Sequence, residues 1–296
     1  MSRGTALIIS IAALTACGSD LVARPTTTST TTSVSTSTTS TSTTSAPTTS
    51  PTTTTAKPKP STASTSAVPQ IRGVSAPGAA SLAGKVVVVD PGHNGGNGAH
   101  PEIIRRMVDA GGFRKECNTT GTAGGDLSES KFNWETAQLV RASLSAAGAT
   151  VIMTRDSNSG VGPCIDERGQ IAARARADLL VSIHADGADT SAHGFHVITP
   201  TVIAGYTDAT SVPSARLAAA VRDALVAEGM TTSTYVGTNG ISRRGDLGTL
   251  NRAGVPAVII ECGNMANAAD LALLRSDAGR QRIAAAVTHA AANFSG

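Results

Sequence analysis

A membrane-length apolar run is missing from the N-terminus, where residues 6–13 are mostly apolar behind Arg3 and small residues lead to Cys17. A stretch this short excludes a stable transmembrane helix and fits a secretory signal. Excess basic charge is missing from the part that can fold. The chain carries +3 overall, but residues 1–83 hold Arg3, Arg24, Lys57, Lys59 and Arg72 against Asp20. That is +4, which leaves −1 for the rest. The basic isoelectric point belongs to the tail, so nothing points to nucleic acid. Cysteine is scarce, at four residues. With Cys17 set aside, three remain and leave room for one disulfide. Internal repeats and a second globular domain are also lacking.

Low complexity fills the space behind the signal. Residues 26–66 are nearly all Thr and Ser with scattered Pro. Such a tract has no apolar face to offset the entropy of ordering, so disorder is expected, and its composition suggests an O-glycosylated stalk. As a flexible coil it would span roughly 35 Å. Leu14-Thr15-Ala16-Cys17 resembles a bacterial lipoprotein box, in which cleavage precedes a cysteine that is then lipidated. The expected organisation is a signal over 1–17, a stalk over 18–83 and one domain over 84–296.

In that domain, strand-like and helix-like segments alternate. Strands are expected at 86–90, 150–154, 179–183, 195–199 and 255–260, and helices at 129–147, 166–177, 212–229 and 270–293. Ser128 can cap the first helix and Gly148 can end it. This order implies a single α/β domain whose mostly parallel, twisted sheet is covered by helices on both faces. Cys117 and Cys164 lie in loop sequence where export permits a disulfide, and Cys262 at an apolar strand end reads as a buried thiol.

Three of the strands end in ionisable residues. Val86-Val87-Val88-Val89-Asp90 leads through Pro91-Gly92 to His93, where Pro91 cannot extend the ladder and Gly92 permits a reversal. Residues 179–183 lead to His184, and 255–260 lead to Glu261. Parallel strands put their carboxyl ends on one rim, where open α/β sheets bind ligands. Glu129, opening a helix behind a long Gly-rich loop, is a fourth candidate. Two neutral imidazoles and one carboxylate suit Zn²⁺ with a position left for water. A further carboxylate near the ion could move the proton. Each residue also has a plainer reading: a core histidine at His184, or a helix-dipole acid at Glu129. Glu261 directly after Val-Ile-Ile is costly to bury without a partner. His193 and His196 compete as ligands but rank below His184, while His100 and His289 are given no role.

These residues together resemble the zinc-dependent N-acetylmuramoyl-L-alanine amidases, a family of bacterial peptidoglycan hydrolases. The resemblance rests on Asp90-Pro91-Gly92-His93-Asn94-Gly95, on Glu129 ahead of a helical run, on Thr154-Arg155, and on Arg168 four residues before Ala172. It continues through Ser182-Ile183-His184-Ala185-Asp186 and Pro256-Ala257…Glu261-Cys262-Gly263-Asn264-Met265-Ala266-Asn267. It implies one catalytic zinc ion held by His93, Glu129 and His184, with Glu261 as the catalytic carboxylate. Glu135 is the rival of Glu129, and the motif register favours Glu129. On one helix the two, six residues apart, point away from each other. Asn264 stands where the family usually carries an aromatic residue, which bears on the lining of the groove. The loop before Glu129 is longer than in the shortest members.

The implied function is hydrolysis of the amide between the lactyl group of N-acetylmuramic acid and the L-alanine of the peptidoglycan stem peptide. The expected protein is a monomer acting on peptidoglycan or muropeptides in the cell envelope. It would meet the outer face of the cytoplasmic membrane only through a lipid on Cys17. Arg243 or Arg244, in the polar stretch 242–246, is a candidate to meet a substrate carboxylate, against the plainer reading of solvated surface arginines. Two other readings stay open: a zinc peptidase cutting within the stem peptide, and a non-catalytic wall-binding protein.

Overall fold

The computed structural model describes residues 81–294. The expected signal and stalk, with Cys17, lie outside these residues. Leu82 is 2% exposed and packs in the core, and its N–H donates to the Ala147 carbonyl at 3.0 Å. Packing therefore begins by Leu82, two residues before the expected start at Gly84.

Six strands form one sheet. In chain order they are β1 (Val86–Pro91), β2 (Thr150–Met153), β3 (Leu179–Asp186), β4 (His196–Pro200), β5 (Ile241–Arg244) and β6 (Ala257–Asn264). Their spatial order is β2-β1-β3-β6-β4-β5. The first four are mutually parallel, β4 runs antiparallel to β6, and β5 is parallel to β4. This is the mostly parallel α/β sheet that the alternating segments imply.

Alternation along the strands feeds two cores. Val87, Val89, Val181, Ile183, Val197, Val258 and Ile260 join one cluster, under helices α1 (Glu129–Ala146), α3 (Ser211–Ala227) and α5 (Asp277–Asn293). Val88, Leu180, Ile198 and Ile259 join the other, under α2 (Ile165–Ala175). Burial on both faces explains why the central strands read as continuous apolar runs. Among the described residues, no helix is long and apolar enough to cross a membrane.

Several expected boundaries move. The single helix over 270–293 is two helices, α4 (Ala268–Arg275) and α5, separated by Ser276. The Ser276 hydroxyl accepts from the Gly279 N–H at 2.9 Å, so Ser276 starts a new helix rather than continuing the old one. The strands at His184 and Glu261 run past the expected ends, to Asp186 and Asn264. Both residues therefore lie within the sheet, paired directly across β3 and β6. Strand β5 was not expected, because Ser242-Arg243-Arg244 carries no apolar alternation and forms an exposed edge.

Candidate metal centre and its surroundings

The turn after β1 is built to turn His93 back over the sheet. Pairing with β3 ends at Pro91, opposite Ile183, and His93 takes a left-handed backbone conformation with φ +55°. Two buried arginines hold that turn. Arg168 donates to the Asp90 carboxylate (2.8 Å) and to the carbonyls of Pro91 (2.8 Å) and His93 (2.9 Å). Arg155 donates to the Pro91 carbonyl (2.9 Å) and the Ser130 carbonyl (3.0 Å), and lies 5.1 Å from the Trp134 ring centre. Asp90 also accepts from the hydroxyls of Ser182 and Thr154. Burial works against its ionisation, but the Arg168 charge and these bonds hold its carboxyl below the usual aspartate range.

His93 Nδ1 lies 3.1 Å from the Thr119 carbonyl. A carbonyl only accepts, so Nδ1 donates there, and Nε2 is the nitrogen that would offer a lone pair to a bound ion. Nε2 is 3.2 Å from Glu129 Oε1, and His184 Nδ1 approaches the same oxygen at 2.9 Å. Glu129 is the first residue of α1, whose N-cap Ser128 accepts from the Lys131 N–H at 3.3 Å. Its second oxygen, Oε2, accepts from the Thr122 N–H at 2.9 Å. The two imidazoles meet edge to face, with ring centres 4.9 Å apart. One ligand atom from each of His93, Glu129 and His184 lies within 4.8 Å of the others.

Close approach demands glycine at two places. A Cβ on Gly92 would lie 2.1 Å from the His184 ring, and one on Gly121 would lie 2.7 Å from Glu129 Oε2 and 2.8 Å from the His93 ring. Burial disfavours the Glu129 carboxylate, yet hydrogen bonds from His184 and His93 outweigh it and keep the group ionised far into acid. Burial lowers His93, but Glu129 more than reverses this and raises it. Two imidazole nitrogens and an ionised carboxylate converging in a tight enclosure fit a divalent zinc ion by donor chemistry.

Glu261 sits beside this cluster, in register with His184 on one side and His196 on the other. Its Oε2 is enclosed and has no hydrogen-bond partner. Burial, then the charges of Glu129 and Asp186, push its carboxyl well above the usual glutamate range. Glu135 lies elsewhere, between Lys131 (3.9 Å) and Arg280 (3.5 Å) on the outer side of α1. His100 pairs with Glu102 at the surface and His289 is exposed on α5. His193 is joined to Thr234 through its backbone. His196 is 3% exposed, its Nδ1 is without a partner, and burial holds its imidazole below the usual histidine range.

Cys117 and Cys164 form a disulfide, and Cys262 is a buried thiol. Cys117 lies two residues before Thr119, so the bridge ties the loop that orients His93 to the N-cap of α2. Asn264 does not line a groove. It is fully buried, donating to the carbonyls of Asp189 (2.8 Å) and Ala192 (2.7 Å) and pinning the loop after β3. Arg244 is held by Asp246, and its charge reaches Glu261, whereas Arg243 pairs with Thr199 on the alternate face of β5. Sequence reading missed the work of Asp90, Arg155 and Arg168. The signal available was three charged residues placed where neighbouring segments are buried.

Comparison with known proteins places the chain. The family described as N-acetylmuramoyl-L-alanine amidase (Amidase_3) matches residues 87–293. The N-acetylmuramoyl-L-alanine amidase Rv3717 of Mycobacterium tuberculosis is 40% identical over 232 residues, covering 77% of this chain and 93% of that protein. Among solved structures, the amidase Ami1 of Mycobacterium smegmatis is 41% identical with a TM-score of 0.68, covering 72% of this chain and 98% of its own. Its counterpart from Mycobacterium abscessus, in the apo form, is 42% identical with a TM-score of 0.66, covering 71% and 97%. The chain belongs to the N-acetylmuramoyl-L-alanine amidase family.

Proposed function

We propose, starting from that membership, that the chain is a zinc-dependent cell-wall hydrolase cleaving the bond between the lactyl carbonyl of N-acetylmuramic acid and the nitrogen of L-alanine. The observation that carries this reading is the convergence of His93 Nε2, Glu129 Oε1 and His184 Nδ1 beside an unpartnered Glu261 oxygen. His93, Glu129 and His184 would hold the ion. Zinc at that position supplies a Lewis acid for the carbonyl and lowers the pKa of water toward about 7.

The chain's own residues supply the rest. The Thr119 carbonyl fixes the His93 tautomer, and Glu129, braced by the Thr122 N–H, stays ionised between the imidazoles. Glu261 takes a proton from the attacking water and returns it to the departing amine of L-alanine. Water oxygen becomes bonded to the lactyl carbon as the C–N bond breaks, releasing a free stem peptide and a muramic acid carboxylate. Its enclosure raises the carboxyl's proton affinity, which makes the ionised group a stronger acceptor in the first step and holds the proton for the second.

The N-terminal segments complete the proposal. Residues 1–17 direct export, a lipid on Cys17 holds the protein at the outer face of the cytoplasmic membrane, and the Thr/Ser-rich tract spaces a monomeric domain into the wall. The test of zinc dependence is removal of metal with a chelator, followed by titration with zinc. Peptide release should vanish and return as one ion binds per chain. Undiminished release from protein shown to be metal-free would refute it.

A further inference from the structure

His184, Glu261 and His196 form a row across three adjacent strands. Glu261 pairs with His184 between β6 and β3, and with His196 between β6 and β4. Their neighbours Ile183, Ile260 and Val197 all enter the core under α1, α3 and α5. Alternation therefore turns the three polar side chains together toward the other face. Glu261 Oε2 and His196 Nδ1 are both enclosed and unpartnered although they sit opposite each other. Buried polar atoms are nearly always satisfied, so two in register on neighbouring strands offer hydrogen-bonding capacity that no protein group here uses.

The row also has a direction. The cluster of His93, Glu129 and His184 lies at β1 and β3, Glu261 at β6, and His196 one strand beyond. If the scissile carbonyl lies at the cluster and its nitrogen over Glu261, the chain that follows the nitrogen runs toward β4. Strands are spaced about 4.8 Å apart and an extended peptide advances roughly 3.4 Å per residue. The first peptide unit past the scissile bond thus falls within reach of His196. On the opposite side, beyond β1, a cleft lined by Thr154, Asp156, Ser157 and Ser159 is left for the muramoyl half.

Resting on the function proposed above, we infer that His196 is a positioning residue for the stem peptide: its Nδ1 hydrogen-bonds the first peptide unit beyond the scissile amide and sets the direction in which substrate crosses the sheet. Tyr235 stands edge-on to the imidazole, with ring centres 6.1 Å apart, and its hydroxyl donates to Asp186 at 3.1 Å. Tyr235 thus packs against the imidazole while its own hydroxyl is taken by Asp186, leaving His196 Nδ1 unpaired.

The test uses the full zinc-loaded chain and the two halves of its substrate, L-alanyl-D-isoglutamine and N-acetylmuramic acid, as separate ligands. His196→Leu keeps bulk but removes the nitrogen, and His196→Asn keeps a nitrogen near the Nδ1 position. The dipeptide should bind His196→Leu about tenfold more weakly than wild type, and His196→Asn within about threefold. N-acetylmuramic acid affinity, zinc content and melting temperature should be unchanged in both. A purely structural histidine would favour leucine at this buried site. Dipeptide affinity unchanged in His196→Leu, equal weakening of both halves, or asparagine faring no better than leucine would each overturn the inference. Peptide release by the wild-type chain from N-acetylmuramoyl-L-alanyl-D-isoglutamine is measured alongside. If it is absent, the function itself fails; if it is present and the variants do not discriminate, only the role of His196 fails.

Discussion

Single atoms in crowded places decide how this site can work. Glu261 has no structural bond at Oε2, so Glu261→Gln should fold normally and keep its metal while losing at least about a hundredfold in kcat. Unchanged turnover would remove Glu261 from the proposed chemistry. Gly92 is irreplaceable for a different reason: a methyl group there would meet the His184 ring at 2.1 Å. Gly92→Ala should weaken zinc binding by about ten- to a hundredfold, read by chelator competition. Asp90 matters through its buried pair with Arg168. Its carboxyl titrates below the usual aspartate value, so its contribution to stability is complete above that value and is lost as pH falls through the depressed one. Arg168→Met leaves Asp90 buried and unpaired. It should cost about 3–5 kcal/mol in denaturant unfolding at neutral pH, and less in acid.

Elements carry what residues alone do not announce. That His93, His184 and Glu261 follow apolar strand segments was legible, because the apolar runs stop at ionisable groups. The spacing of Glu129 and Glu135 told that only one faces the cluster, and the motif register of the resemblance chose Glu129. Strand β5 was illegible, because an exposed edge needs no apolar alternation, and so was the break at Ser276, where apolar spacing continues across the cap. The extension of β3 and β6 past the histidine and glutamate was hidden too, since pairing depends on a neighbour distant in sequence. Asn264 misled: its position suggested a groove, but the side chain is buried and its amide donates to the loop carbonyls of Asp189 and Ala192. The disulfide joins loop to helix across a sequence separation of 47 residues. Reducing it should lower stability by about 2–4 kcal/mol in chemical denaturation. Because Thr119 follows Cys117 by two residues, reduction should also loosen zinc in a chelator titration; equal affinity in both redox states would uncouple the bridge from the site.

At the scale of the whole molecule, charge and catalysis are segregated along the chain. The basic residues of the N-terminal region give the protein its overall +3, while the rest is near neutral. The proposed tether makes location, rather than intrinsic affinity for the wall, the source of effective concentration. Cys17→Ser should therefore move the protein from the membrane fraction to the soluble one, with activity on soluble muropeptides unaltered. Retention at the membrane would remove the lipid from the account.

The central claim concerns one bond, and product masses read it directly. The full zinc-loaded chain is given peptidoglycan fragments, beside a chelated sample and Glu261→Gln. Free stem peptides beginning with an unblocked L-alanine amine, absent from both controls, are the predicted result. Shortened peptides still joined to muramic acid, or binding of fragments with no cleavage, would contradict it.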